Sequence, residues 1–124
     1  MSAFAWVAFV AAGAIGAPAR AVLSEAIAAR VDTRFPWGTF IVNVSGSFAL
    51  GFITGLALYH SFPDEPRLVL GTGFCGAYTT FATFGFETMQ LAEDGELGLA
   101  FRNSLGTLVA GGLAAAAGLA LAAL

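Results

Sequence analysis

Two uncharged stretches, residues 39–59 and 103–124, limit the structures that this chain can adopt. Each is long enough to cross the hydrocarbon core of a bilayer as a helix, which takes about 20 mainly apolar residues. Residues 3–23 and 68–86 are of similar length and nearly as apolar, with Arg20 near the end of the first and Glu87 just past the second. We therefore predict an all-α membrane protein, a single domain of four transmembrane helices spanning residues 1–124.

The composition excludes several other classes of protein. Charged residues make up 10% of the chain, whereas an average soluble domain has roughly 25%. This disfavours a soluble enzyme or a disordered segment. A nucleic-acid-binding protein would need a basic surface, but the formal net charge is −3. A single cysteine cannot form an internal disulfide, and with one histidine it leaves little for a soft-metal site.

The five arginines bear on orientation in the membrane. Arg30 and Arg34 follow the first span, with Arg20 at its edge, and Arg102 lies on the same side before the fourth span. Arg67 alone lies on the opposite side. Positively charged loops tend to stay inside the cell, but this small excess is compatible with one fixed orientation or with insertion both ways round.

Polar and small residues line one face of the second span. Thr39, Asn43, Ser47, Gly51 and Gly55 recur every four residues, a spacing that places them on one side of a helix. The small residues predict a seam where another helix approaches closely. The Asn43 amide could join two helices, or it could line a water-accessible path and donate hydrogen bonds to an anion.

The third span is rich in glycine and threonine between Gly71 and Phe84, residue types that weaken a helix. This pattern predicts a helix broken at mid-membrane, where freed carbonyl groups suit a hard cation. The electropositive ring edges of Phe81 and Phe84 could meet an anion. The alternative is an intact helix with its phenylalanines in lipid.

In the fourth span, Asn103 and Thr107 share a face.

Three segments carry a resemblance to a known family. Residues 16–20 read GAPAR, residues 38–48 read GTFIVNVSGSF, and residues 73–84 read GFCGAYTTFATF. Together they resemble the Fluc (CrcB) family of fluoride-specific ion channels, in order along the whole chain. The resemblance implies a channel rather than an enzyme. It also implies an antiparallel, dual-topology homodimer in the cell inner membrane that exports fluoride passively and so detoxifies it.

The resemblance also implies roles for individual residues. The backbone carbonyls of Gly76 and Thr79 would hold a structural sodium ion at the dimer centre. The fluoride pathway would include the residues that match the family's pore positions: Arg20, Asn43, Phe81, Thr83, Phe84, Glu87, Asn103 and Thr107. The chain departs from the family at Ala77, where glycine is usual, and at Ala82, where serine is usual. Because the serine hydroxyl is absent, we expect fewer polar groups along the fluoride pathway than is usual in the family.

Three alternatives remain beside the homodimeric channel. The chain could be one half of a pair of non-identical subunits. It could be a small four-span drug/proton exporter, but that chemistry needs a carboxylate within the first span, and the nearest acid is Glu25 beyond Arg20. It could be a non-transporting helical assembly protein, which leaves Asn43 and the cluster from Thr79 to Phe84 without a role.

Overall fold

The computed structural model describes residues 1–31 and 33–124, and the regular elements in these ranges are all helical. The third helix, α3, covers residues 64–78 and has three parts: an α-helical turn at Asp64–Arg67, a π-helical stretch at Leu68–Cys75 and a last turn at Gly76–Tyr78. The other helices are α1 at Ala3–Arg30, α2 at Trp37–Tyr59, α4 at Phe81–Glu93 and α5 at Leu97–Ala122.

Four helical passes account for the chain, and one of them is interrupted. Within the described ranges, α1, α2 and α5 are the helices long and apolar enough to cross a membrane unbroken. At 1.5 Å per residue they are roughly 35–42 Å long, more than the hydrocarbon core of about 30 Å. The remaining pass consists of α3 and α4 together. The all-helical architecture with a bent third pass agrees with the prediction.

The helices extend further than the spans predicted for the membrane. Helix α1 continues to Arg30 instead of ending at residue 23, α4 reaches Glu93 instead of residue 86, and α5 begins at Leu97 instead of residue 103. Hydropathy marks the portion that fits in lipid, whereas backbone hydrogen bonding continues through polar residues until a cap or turn stops it.

The α2–α5 interface is the most extensive helix contact in the described part of the chain, and it confirms the predicted seam on α2. A Cβ atom at Gly51 would clash with the carbonyl oxygen of Ala115, and one at Gly118 would lie 2.7 Å from the backbone nitrogen of Phe52. A Cβ at Gly55 would lie 2.6 Å from the methyl group of Ala122. Only small residues allow two backbones to approach this closely, which is how helices associate in a bilayer.

Helix α1 packs on the π-helical stretch of α3 in a similar way. A Cβ at Gly16 would lie 2.6 Å from the carbonyl oxygen of Phe74, and one at Gly73 would lie 3.0 Å from that of Phe9. The methyl group of Ala77 would lie 3.3 Å from a Cβ at Gly16. The extra methyl at Ala77 therefore fits because the facing position on α1 is itself a glycine.

The break in the third pass lies at the threonine pair rather than at the glycines. Thr79 and Thr80 have extended backbones, with ψ angles of 157° and 122°. The hydroxyl of Thr80 accepts a hydrogen bond from the backbone N–H of Thr83 at 3.1 Å and so caps the start of α4. The prediction of a broken helix is confirmed, and Gly71 and Gly73 instead lie within the π-helical stretch.

Candidate functional site

Asn43 on α2 holds the two backbone groups that the break exposes. The N–H of Thr80 donates to Asn43 Oδ1 at 2.8 Å, and Asn43 Nδ2 donates to the carbonyl oxygen of Thr80 at 3.0 Å. One amide therefore replaces both hydrogen bonds that Thr80 would make in a continuous helix. The first of the two roles considered for Asn43, joining two helices, is confirmed. The second N–H of its amide group is not used in this pair.

A cavity of about 520 Å³ lies beside the break. Its described lining holds amide, hydroxyl, aromatic and aliphatic groups and no charged side chain. Helices α2, α4 and α5 and the break itself all contribute. The lining residues are Asn43, Gly46, Ser47, Leu50, Thr79, Thr80, Phe81, Phe84, Ser104, Thr107 and Leu108.

Two aromatic rings border this cavity at the start of α4. The ring centroids of Phe81 and Phe84 are 6.1 Å apart, with 47° between the ring planes. Phe81 is 84% exposed, and Phe84 is half-buried. The two rings lie on one helix face because they are three residues apart. Opposite them on α5 are the hydroxyl groups of Ser104 and Thr107, of which only Thr107 was singled out from the sequence.

Asn103 lies outside the cavity beside the break. It is fully buried. Its Nδ2 donates to Thr88 Oγ1 at 2.8 Å, and the Thr88 hydroxyl donates to the carbonyl oxygen of Phe84 at 2.8 Å. The Thr107 hydroxyl donates to Asn103 Oδ1 at 3.4 Å. Asn103 therefore joins α5 to α4 behind Phe84. Sequence reasoning missed Thr88, although its spacing of four residues from Phe84 places both on one helix face.

Glu87 belongs to a second cavity, of about 360 Å³, at the end of the molecule where α2 begins. The buried Thr39 hydroxyl donates to Glu87 Oε1. The same cavity is lined by Arg34 and Asp94, whose side chains form an ion pair at 2.7 Å between the α1–α2 and α4–α5 connections. The structure therefore places Glu87 with Thr39, in a different cavity from the one that the aromatic rings border.

The other predicted site residues lie around these cavities rather than in them. Arg20 is half-buried on α1 and lines neither cavity. Thr83 lies in the first turn of α4, where its backbone N–H is capped by Thr80. Ala82, the other departure from the family pattern, is exposed and does not line the cavity beside the break.

Gly76 and Thr79 lie at the end of α3, where helix carbonyls lose their usual partners. In a continuous helix the Gly76 carbonyl would accept from the N–H of Thr80, but that N–H donates to Asn43. Gly76 is exposed, and a Cβ there would meet nothing within 4 Å. Thr79 is extended, so its carbonyl leaves the helical direction. This end of the helix can present backbone oxygens to a cation.

Comparison with known proteins decides the family. Residues 7–119 match the family model described as CrcB-like protein, Camphor Resistance (CrcB). The chain belongs to the CrcB family. A fluoride-specific ion channel FluC 1 of Frankia casuarinae is 44% identical, over 94% of this chain and 95% of that one. FluC 1 of Streptomyces avermitilis is 42% identical, over 91% of each chain. FluC 2 of Mycolicibacterium paratuberculosis is 44% identical, over 94% and 93%.

Proposed function

We propose that this CrcB-family chain forms a fluoride-selective channel that lets fluoride leave the cell passively. The single observation that carries the proposal is the neutral polar cavity beside the helix break, with Asn43 and two phenylalanine rings in its lining. Relatives of 42–44% identity are named fluoride-specific ion channels. The three apolar helices and the interrupted pass make the chain a multi-pass membrane protein.

The chemistry of the cavity suits a small, strongly hydrated anion. Such an ion enters a narrow path only where other donors replace its water. The unused N–H of Asn43, the hydroxyl of Ser104 and the ring edges of Phe81 and Phe84 can act as these donors. The Thr107 hydroxyl can join them when it gives up its hydrogen bond to Asn103 Oδ1. None of these groups carries a full positive charge. Conduction needs sites that bind weakly enough to release the ion, and a row of neutral donors meets that condition.

The proposed channel is an antiparallel dimer. Polar surface facing lipid is costly, and the cavity, with exposed Ser104 and Phe81 at its edge, opens on the surface of one chain. A second copy placed against this surface would enclose the path and give each copy an equivalent role. The partner could also be a related, non-identical subunit.

A sodium ion at the dimer centre fits the residues present. The carbonyls of Gly76 and Thr79 at the end of α3 would hold it, because the helix break deprives them of helical partners. Carbonyl oxygens are the ligands that hard cations prefer. When bound, the ion would supply positive potential close to the path without placing a fixed charge in it.

Passive flow is enough to remove fluoride from a cell. Hydrogen fluoride is a weak acid that crosses membranes in its neutral form and ionises inside. A negative-inside potential then drives the anion outward by about 2.3 kcal/mol per 100 mV. The channel would therefore act in detoxification at the bacterial inner membrane.

Liposome efflux on the purified chain tests this function. We expect fluoride, but not chloride, to leave loaded liposomes without a proton gradient. Equal chloride flux would contradict the proposal. The exporter alternative predicts transport of organic cations that depends on a proton gradient, but Glu25, the acid on α1, is exposed near its end. The assembly-protein alternative predicts no flux of any ion.

A further inference from the structure

A large groove lies on the other flank of the α2–α5 pair, away from the cavity beside the break. It has a volume of about 900 Å³ and shares no lining residue with that cavity. Its walls are mostly apolar, and Phe101, Leu105 and Val109 of α5 are each at least 48% exposed. A second copy that covered the cavity would therefore leave this groove open to lipid.

Aromatic and charged side chains at one end show where this groove lies relative to the membrane surface. Phe35, Trp37 and Phe40 form a cluster with ring centroids 4.7–5.8 Å apart. Tryptophan, with its amphipathic ring, concentrates at the level of lipid headgroups. Arg34 and Arg102 line the same end of the groove, and arginine can extend its guanidinium to the membrane surface. The groove therefore runs from the headgroup level into the hydrocarbon.

Two of the chain's five arginines, Arg34 and Arg102, line this end of the groove. Among the described lining residues the acid beside them is Glu96. Arg34 is partly neutralised, because its guanidinium lies 2.7 Å from Asp94 and 3.6 Å from Glu96. Arg102 forms no ion pair with the residues that the structure describes. Its side chain is exposed.

We propose that this groove binds an anionic phospholipid, with an acyl chain against Trp37 and Leu105 and the phosphate against Arg102. A guanidinium group can donate two parallel hydrogen bonds to a phosphate, and basic pockets beside transmembrane helices bind anionic headgroups. A zwitterionic lipid can supply the same acyl chain but not the same net charge. The preference for an anionic headgroup is therefore the distinguishing property of the site.

Quenching of Trp37 fluorescence by brominated lipids measures this preference directly. Replacing Trp6 by phenylalanine leaves Trp37 as the only tryptophan, and Trp6 lies near the opposite end of α1. The protein is placed in phosphatidylcholine bilayers that contain equal fractions of either brominated phosphatidylglycerol or brominated phosphatidylcholine. We expect about fivefold preferential occupancy by phosphatidylglycerol, equivalent to about 1 kcal/mol for one arginine near the surface.

Matched variants test the role of the charge. Arg102→Gln should abolish the preference and Arg102→Lys should keep part of it, while Arg67→Gln, at the opposite end of the molecule, should leave it unchanged. Glu96→Gln should strengthen the preference, and this variant still tests the proposal if Arg102→Gln does not fold. Raising the salt to about 1 M, where the Debye length is about 3 Å, should weaken it.

Three outcomes would overturn the proposal. Equal quenching by the two brominated lipids would show that the groove does not select headgroup charge. A preference that survives Arg102→Gln, or that is unaffected by Glu96→Gln, would place the selective site elsewhere. Weak quenching by both lipids would mean that another copy of the chain covers Trp37.

Discussion

Replacing Asn43 by leucine should destabilise the helix break by a predictable amount. The substitution keeps a side chain of similar size but removes two hydrogen bonds to the backbone of Thr80, at 2.8 and 3.0 Å. Hydrogen bonds between membrane helices contribute about 0.6 kcal/mol on average, and typical ones in soluble proteins contribute up to about 1.5 kcal/mol. Because water can reach Thr80 through the cavity, we expect a loss of about 1–3 kcal/mol in the free energy of unfolding.

Reversible unfolding in mixed micelles measures this loss, and hydrogen exchange at the Thr80 amide locates it. That N–H donates to Asn43 in the native protein, so its exchange should accelerate in Asn43→Leu. In Asn43→Asp the remaining oxygen can still accept from the Thr80 N–H, but no donor is left for the carbonyl. Protection should then persist in part. Fluoride efflux should fall in both variants because the free amide N–H is also lost.

Thr54→Val is the matched control, because it removes a hydroxyl from an exposed position on the same helix. It should change the unfolding free energy by less than about 0.5 kcal/mol. The contrary result is that Asn43→Leu changes the unfolding free energy as little as this control, with the Thr80 amide exchanging at its original rate. That result would show that Asn43 does not stabilise the backbone of Thr80. A loss of fluoride flux alone would then assign Asn43 to the pathway but not to the break.

Three other substitutions test separate parts of the structure. Phe84→Ile should strongly reduce fluoride efflux with little change in folding, because the ring edge is lost while apolar volume is kept; unchanged efflux would remove this ring from the pathway. Gly118→Ala should cost about 1–3 kcal/mol of stability through overpacking against the α2 backbone. Its control Gly112→Ala, with nothing within 4 Å of the added methyl group, should be neutral or stabilising in the same unfolding assay. Arg34→Gln should cost less than about 1 kcal/mol, because its pair with Asp94 is half exposed, and a cost that high salt does not reduce would contradict a surface ion pair.

Local patterns in the chain predicted several features well. The four-residue spacing of small residues predicted a close-packing seam on α2, and the structure places it against α5, where Gly51 and Gly55 meet Ala115 and Ala122. Glycine and threonine content predicted an interrupted third pass. The exact position of the break was harder to predict, because residues 71–75 can satisfy a π-helix while the extended conformation falls on the threonine pair.

The relationships between residues far apart in sequence could not be predicted from such patterns. The resemblance implied a pathway role for Asn103, and the structure shows it buried, with a hydrogen bond to Thr88. The resemblance implied a pathway role for Glu87 as well, and the structure shows its carboxylate accepting a hydrogen bond from Thr39. Each of these polar side chains has several possible hydrogen-bond partners. The position of the neighbouring helix decides which of them it meets.

The amino-acid sequence alone determined the class of environment and the number of passes, because hydropathy and helix length depend only on the chain and the bilayer. It also determined where backbones can approach, since small side chains permit close packing whatever their partner. Tertiary structure decided which polar group holds the open backbone of Thr80 and which residues enclose the cavity. Those choices depend on the rotation and depth of each helix against the next, and these are set by the packing of all the helices together.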